Sequence, residues 1–280
     1  MPTPSQEATI RFGCFFGTLL AMAVWEFLAP RRPLTQSRPL RWFSNLSLAL
    51  LNGAAWRLVM PAGIVGLAMA VQDRSWGLFN FVESPTWFEV MASVVLFDFA
   101  IYGQHRAFHR VPWLWRLHLV HHVDLDIDAT TGIRFHTVET LLSFVWKAVV
   151  IALLGAPALA VMIFEILLNA TALFNHSNIR LPLWLDRVLR LILVTPDMHR
   201  VHHSIEHHET NSNYGFCLSW WDLLFRTYDA QPDAGHDGMT IGRPEFRDPQ
   251  VERLPFMLRL PFRRGLPTAP CRHLRDSRTG

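Results

Sequence analysis

Histidine is the residue through which this chain does chemistry. His105 and His109 form an H-x3-H pair, His118, His121 and His122 form an H-x2-H-H triplet, and His199, His202 and His203 repeat that triplet further along the chain. Residues three and four apart share a face of a helix, so each cluster presents its imidazoles toward one point. The third cluster also has a helix start of its own, with Thr195 as N-cap and Pro196 at the first helical position. Imidazole suits zinc, copper, iron and nickel, and eight nitrogens exceed what one tetrahedral ion uses, so two ions are the economical reading. A lone histidine is more often a core or surface residue, but three such spacings in one chain are not. Competing motifs fail: the chain has no H-E-x-x-H, no C-x-x-C-H and no paired E-x-x-H. Bis-histidine haem leaves so dense a grouping unexplained. Cys14, Cys217 and Cys271 are far apart, so neither a zinc ribbon nor a disulfide framework is written here.

The elements that must position these histidines are apolar. Half of the 280 residues are hydrophobic and only 18% are charged, with Lys147 the single lysine. A soluble domain usually carries about 25% charged residues, so a water-soluble globule is a poor fit, and disorder is excluded by the ample apolar surface. The net charge of +3 comes almost entirely from dispersed arginines and forms no continuous run, so nucleic acid is not an expected partner. The arginine bias is read as bacterial. Five apolar stretches cover residues 12–29, 46–71, 87–101, 138–154 and 158–173. A crossing takes about 17 to 25 residues, which the first two satisfy and the others meet with flanking residues. The N-terminus lacks a basic start and a small-residue cleavage site, so its apolar stretch is expected to be retained. Arg57 beside Pro61 predicts that the second stretch is either kinked or partly interfacial.

Arg31, Arg32, Arg38 and Arg41 follow the first stretch, whereas Asp73, Arg74 and Glu83 follow the second. By the positive-inside rule the first loop is cytoplasmic, and following the chain brings all three histidine clusters to that side. Gly155, Ala156 and Pro157 predict a hairpin turn between the last two stretches. Lys147 and Glu165 each lie nine residues from Ala156, at equal depth roughly 13 Å from the turn, and are expected to pair. Residues 183–194 read as an amphipathic helix on the membrane surface. The last fifty or so residues read as a tail touching that surface.

The chain resembles the fatty acid hydroxylase and sterol desaturase superfamily of membrane di-iron enzymes. The matching text is YGQHRAFHRVPWLWRLHLVHH, RFHTVE, FNHSN, TPDMHRVHHS and NSNYGFCLSWWDLLFRTY, across residues 87–229. The resemblance implies that His105, His109, His118, His121, His122, His199, His202 and His203 are metal ligands. It further implies that His136 in RFHTVE and His176 in FNHSN complete the two coordination spheres. Thr137 stands where many relatives have proline. Asp98 shares a helical stripe with Tyr102, His105 and His109, so it either orients a ligand imidazole or is a structural acid, and Glu139 stands likewise. Asp124, Asp126 and Asp128 read as a solvated loop, His207 and His208 as exposed, and His236 and His273 as binding nothing.

The expected architecture is all-α: a polytopic membrane helical bundle of four to five segments with a cytoplasmic His-rich metal-binding cap. Residues 1–86 hold N-terminal membrane segments, 87–229 a hydroxylase-like catalytic domain, and 230–280 a C-terminal cytoplasmic tail. The resemblance implies two iron ions, O2 as co-substrate and hydroxylation of a membrane lipid. Desaturation on the same scaffold is the nearest rival, and a non-enzymatic metal-binding or transport protein is the rival from another class. No flavin, NAD or haem-domain motif is present, so electrons are expected from an external donor, a ferredoxin or a cytochrome with its reductase. The expected location is the bacterial inner membrane.

Overall fold

The computed structural model describes residues 3–267, and these are almost entirely helical, with only three isolated β-bridges and no strand among them. Helix α1 (Pro4–Leu28) opens on a capping box, in which Thr3 and Gln6 exchange side-chain and backbone bonds. Helix α2 (Arg38–Val59) ends just ahead of Pro61, and α3 (Gly63–Asp73) continues after the break. Proline disfavours helical backbone in the residue before it and removes a donor, which produces the expected interruption next to the exposed Arg57.

Helix α4 (Thr86–Arg110) carries the first histidine pair at its end. Val111 is extended, and Pro112 at once starts α5 (Pro112–His122), which carries the second cluster. A hairpin follows, α6 (Thr137–Leu154) and α7 (Ala158–Asn175), turned by Gly155 in the left-handed conformation. Gly155 and Gly77, both at positive φ, bring their backbones into direct contact, and a Cβ on Gly77 would lie 2.0 Å from the Gly155 nitrogen. Two short helices, α8 (Leu183–Leu189) and α9 (Pro196–His202), complete the histidine-bearing part.

Among the described residues, five elements are long and apolar enough to cross a membrane: residues 5–28, 38–80, 86–110, 137–154 and 158–175. Phe12, Phe16, Leu20, Leu50, Leu58 and Leu153 point outward from them, as lipid-facing side chains do. An inner apolar cluster of α3, α4, α6 and α7, including Val65, Phe97, Ile151 and Phe164, joins the spans. The end of α4 and the start of α6 meet α5, and the end of α7 meets α9, so the fold is a bundle with one histidine-rich cap. Lys147 and Glu165 form the expected ion pair, and Arg11 of α1 adds a second cation 3.3 Å from Glu165.

Several expectations change at the cap. Asp124, Asp126 and Asp128 are buried, not solvated. The fully buried Arg41 guanidinium pairs with Asp124 at 2.9 Å and with Asp128, and Thr131 accepts from it at 3.1 Å. Asp126 accepts the Thr35 and Gln36 amides at 2.8 and 2.7 Å, which fixes the loop between α1 and α2. Arg31 reaches Asp197 of α9 at 3.3 Å. Two of the four arginines counted for orientation are therefore held by cap carboxylates, and their loop lies on the cap side.

Residues 249–262, read as tail, also belong to the cap. Val251, Met257 and Leu260 pack with Leu48, Trp115 and Leu119 in one apolar cluster, and Glu252 meets Arg134 at 2.5 Å. His236, read as a tail residue that binds nothing, is buried with Nε2 3.7 Å from an Asp197 oxygen and belongs to neither metal-ligating group. The amphipathic segment is helical only to Leu189, after which Arg190 folds inward onto the Ala230 carbonyl. Cys271 and His273 lie outside the described residues.

Candidate metal centre

The cap gathers nine buried histidines into two adjacent groups: His105, His109, His118, His122 and His202 in one, and His121, His176, His199 and His203 in the other. Within each group, one ring nitrogen per residue lies within 4.8 Å of all the others. The local sequence explains the convergence. Helix α4 brings His105 and His109 from one turn to the next, while α5 divides its triplet between the groups. Successive residues on a helix face different directions, so His122 joins one group and His121 the other. The same division falls on α9, which sends His202 and His203 to opposite sides. The groups touch, with the His122 and His203 rings stacked at 4.7 Å.

Outer hydrogen bonds aim the inner nitrogens. His105 Nδ1 donates to the Tyr214 carbonyl at 2.9 Å, His202 Nδ1 to the Ser212 carbonyl at 2.7 Å, and His176 Nδ1 to the Ala172 carbonyl at 2.7 Å. His118 Nδ1 donates to the Glu139 carboxylate at 2.6 Å. Each such bond fixes the tautomer and leaves a lone pair on Nε2, the arrangement that orients metal-bound imidazoles. The Nε2 atoms of His105, His118 and His202 are buried without a protein partner, as are both nitrogens of His109, His122 and His203. His176 Nε2 faces His121 Nε2 at 3.1 Å and His199 Nε2 at 3.0 Å. Metal–nitrogen bonds of about 2.0–2.1 Å place neighbouring donors roughly 3.0–3.4 Å apart, and these separations match that spacing. Burial pushes His118 and His176 from 6.5 down to about 3. Burial, reinforced by neighbouring imidazoles, holds His121, His122, His199, His202 and His203 well below their ordinary value. Neutral imidazole is the form that binds a metal, so the donor set fits two N-liganded ions.

His136 stands apart from both groups. Its Nδ1 accepts the Val138 amide at 3.2 Å as the N-cap of α6, and its Nε2 donates to the Leu258 carbonyl at 3.3 Å. Both nitrogens are used, and none is left for a metal. Asp98 is the structural acid: it accepts the Cys217 and Leu218 amides at 3.0 Å each and the Trp221 indole at 2.8 Å, and no imidazole. Glu139 is the acid that holds a histidine.

The segment NSNYG supplies positioning that residue types alone did not reveal. Asn213 adopts φ 49°, a left-handed conformation that asparagine tolerates, and its amide donates to the Met198 and Asp229 carbonyls. Asp222 accepts the Tyr214 and Gly215 amides at 2.8 and 2.7 Å. This loop thereby holds the two carbonyls that face His105 and His202. Gly132 is a second such position. A Cβ there would lie 2.4 Å from the Ala172 carbonyl oxygen, the acceptor of His176.

The fatty acid hydroxylase family model matches residues 90–227, the part that carries the nine histidines. The chain is 28% identical to an ornithine lipid hydroxylase of Rhizobium tropici, covering 78% of this chain and 66% of the relative. It is 26% identical to an alkylglycerol monooxygenase of Xenopus tropicalis, covering 90% of this chain and 53% of the relative. It therefore spans just under two thirds of the first relative's length and about half of the second's. Against a cholesterol 25-hydroxylase-like protein of Danio rerio it is 31% identical over 71% of this chain and 78% of the relative. No solved structure matches it. With the family model lying over the histidine cap and a relative covered along most of its length, the chain belongs to the fatty acid hydroxylase family.

Proposed function

We propose that the protein is an O2-dependent di-iron hydroxylase of a membrane lipid, with His105, His109, His118, His122 and His202 holding one iron and His121, His176, His199 and His203 the other. The observation that carries this reading is the pair of adjacent, buried, carboxylate-poor imidazole groups whose inward nitrogens meet no protein group other than one another. Bound iron would supply the redox chemistry with O2 that attacks an unactivated C–H bond. The chain's own part is to hold the imidazoles neutral and oriented, through Glu139 and the Ser212, Tyr214 and Ala172 carbonyls, and to exclude water from the site. The site caps the ends of α4, α6 and α7, the position at which a lipid from the bilayer would be received. The names of the relatives favour hydroxylation over desaturation and a lipid over a soluble substrate. Reducing equivalents come from a separate donor, a ferredoxin or a cytochrome with its reductase, and the cap faces the cytoplasm of a bacterial inner membrane.

Comparing the lipids of a deletion strain with those of its parent tests the function. A lipid one oxygen atom heavier, present in the parent and lost from the deletion, is the expected result; identical lipidomes contradict it. Two further outcomes follow from the outer bonds. Glu139→Gln keeps the shape but replaces an anion by a neutral acceptor, and iron affinity or turnover is expected to fall by about 10–100-fold, read by iron content and product yield. Gly132→Ala should displace the end of α7 and selectively lower iron retention, whereas Gly53→Ala, which meets no neighbouring atom, should leave it unchanged.

A further inference from the structure

Away from the nine-histidine centre, one more set of side chains among the described residues comes together in the manner of a metal site. His208 Nε2 lies 3.2 Å from an Asp233 carboxylate oxygen and 4.0 Å from Glu209 Oε1, and one donor atom from each residue falls within 4.8 Å of the other two. Glu209 provides the independent sign of a ligand. It is 1% exposed, and while its Oε1 accepts the Asp233 amide at 2.6 Å, its Oε2 is buried with no protein partner. A buried carboxylate oxygen without a protein partner is one that a bound cation would satisfy.

We propose that His208, Glu209 and Asp233 form an accessory site for a divalent ion of the zinc class. One imidazole and two carboxylates are a borderline donor set that suits zinc, with a fourth position left for water. Bonds of about 2.0–2.2 Å put tetrahedral donors roughly 3.4 Å apart, and the two separations from His208 bracket that value. His208 and Asp233 are both exposed, so the ion loads from solvent, unlike any ion in the buried centre. The site also connects to that centre. The Glu209 carbonyl accepts the Ser212 hydroxyl at 2.7 Å, and the Ser212 carbonyl accepts His202 Nδ1 at 2.7 Å. An ion there ties the 207–212 turn to the segment around Asp233.

The test is zinc stoichiometry of full-length protein purified in detergent, stripped with chelator and dialysed against Zn2+. Wild type is expected to retain one more zinc per chain than His208→Ala or Asp233→Asn, and zinc should raise its thermal midpoint more than theirs. Both side chains are exposed, so the variants keep the fold, and all three proteins share the same buried centre. The difference between them is therefore independent of what that centre holds. Equal zinc counts and equal thermal shifts in the three proteins overturn the proposal and leave a plain His208–Asp233 ion pair.

Discussion

His121→Ala and His202→Ala, one from each imidazole group, are each expected to reduce lipid oxidation to background. His121 Nε2 sits 3.1 Å from His176 Nε2, at the point where three ring nitrogens converge. His202 Nε2 is buried with no protein donor or acceptor, while its Nδ1 is committed to the Ser212 carbonyl. Each variant removes a donor that no other side chain replaces. Loss of an outer partner alone costs about 10–100-fold in metal affinity or activity, and loss of the donor itself should exceed that. The check is product formation in membranes carrying each variant, beside the iron content of the purified protein. Oxidised lipid retained within a few-fold of wild type would remove both residues from the centre.

Arg41→Met is expected to produce the largest loss of stability. Arg41 is 0% exposed and meets the buried carboxylates of Asp124 and Asp128, with Glu252 4.0 Å away. Removing one partner of a buried ion pair typically costs about 3–5 kcal/mol, because the remaining charge is left uncompensated. At roughly 2–4 °C per kcal/mol for a protein of this size, the thermal midpoint should fall by roughly 6–20 °C. Arg41→Lys should recover only part of that loss, since an ammonium cannot reproduce the two-pronged contact with Asp124. Arg264→Gln, at an exposed position, should leave the midpoint unchanged. Thermal unfolding in one detergent decides this, and a midpoint in Arg41→Met equal to wild type would show that the network carries no stability.

The local pattern carried the histidines and the spans, because both are short-range signals. Helical spacing of three and four, Thr195-Pro196 as a helix start and Pro61 as a break each act within a few residues. The Lys147–Glu165 pair was also legible, because a hairpin with a known turn makes depth a matter of counting. Contacts set by tertiary structure were not legible. Asp124, Asp126 and Asp128 look solvated beside one another, and only the fold delivers Arg41, Thr35 and Gln36 to them. His136 shares a residue type with the nine gathered histidines, but its position at the start of α6 turns it to backbone. Asp98 and Glu139 were equivalent on the page of letters; the loop 213–222 takes Asp98, and the approach of α5 to α6 gives Glu139 to His118. Residues 249–262 read as a tail because their apolar patches are too short to show a period, yet they cover α5.

The central claim is that two irons sit side by side in the histidine cap. It is tested most directly by counting iron per chain in protein purified from iron-replete cells, using the His208→Ala variant so that the exposed site does not contribute. Two irons per chain, falling below two in His121→Ala and in His202→Ala, is the expected result. One iron or none per chain in fully folded protein would contradict it.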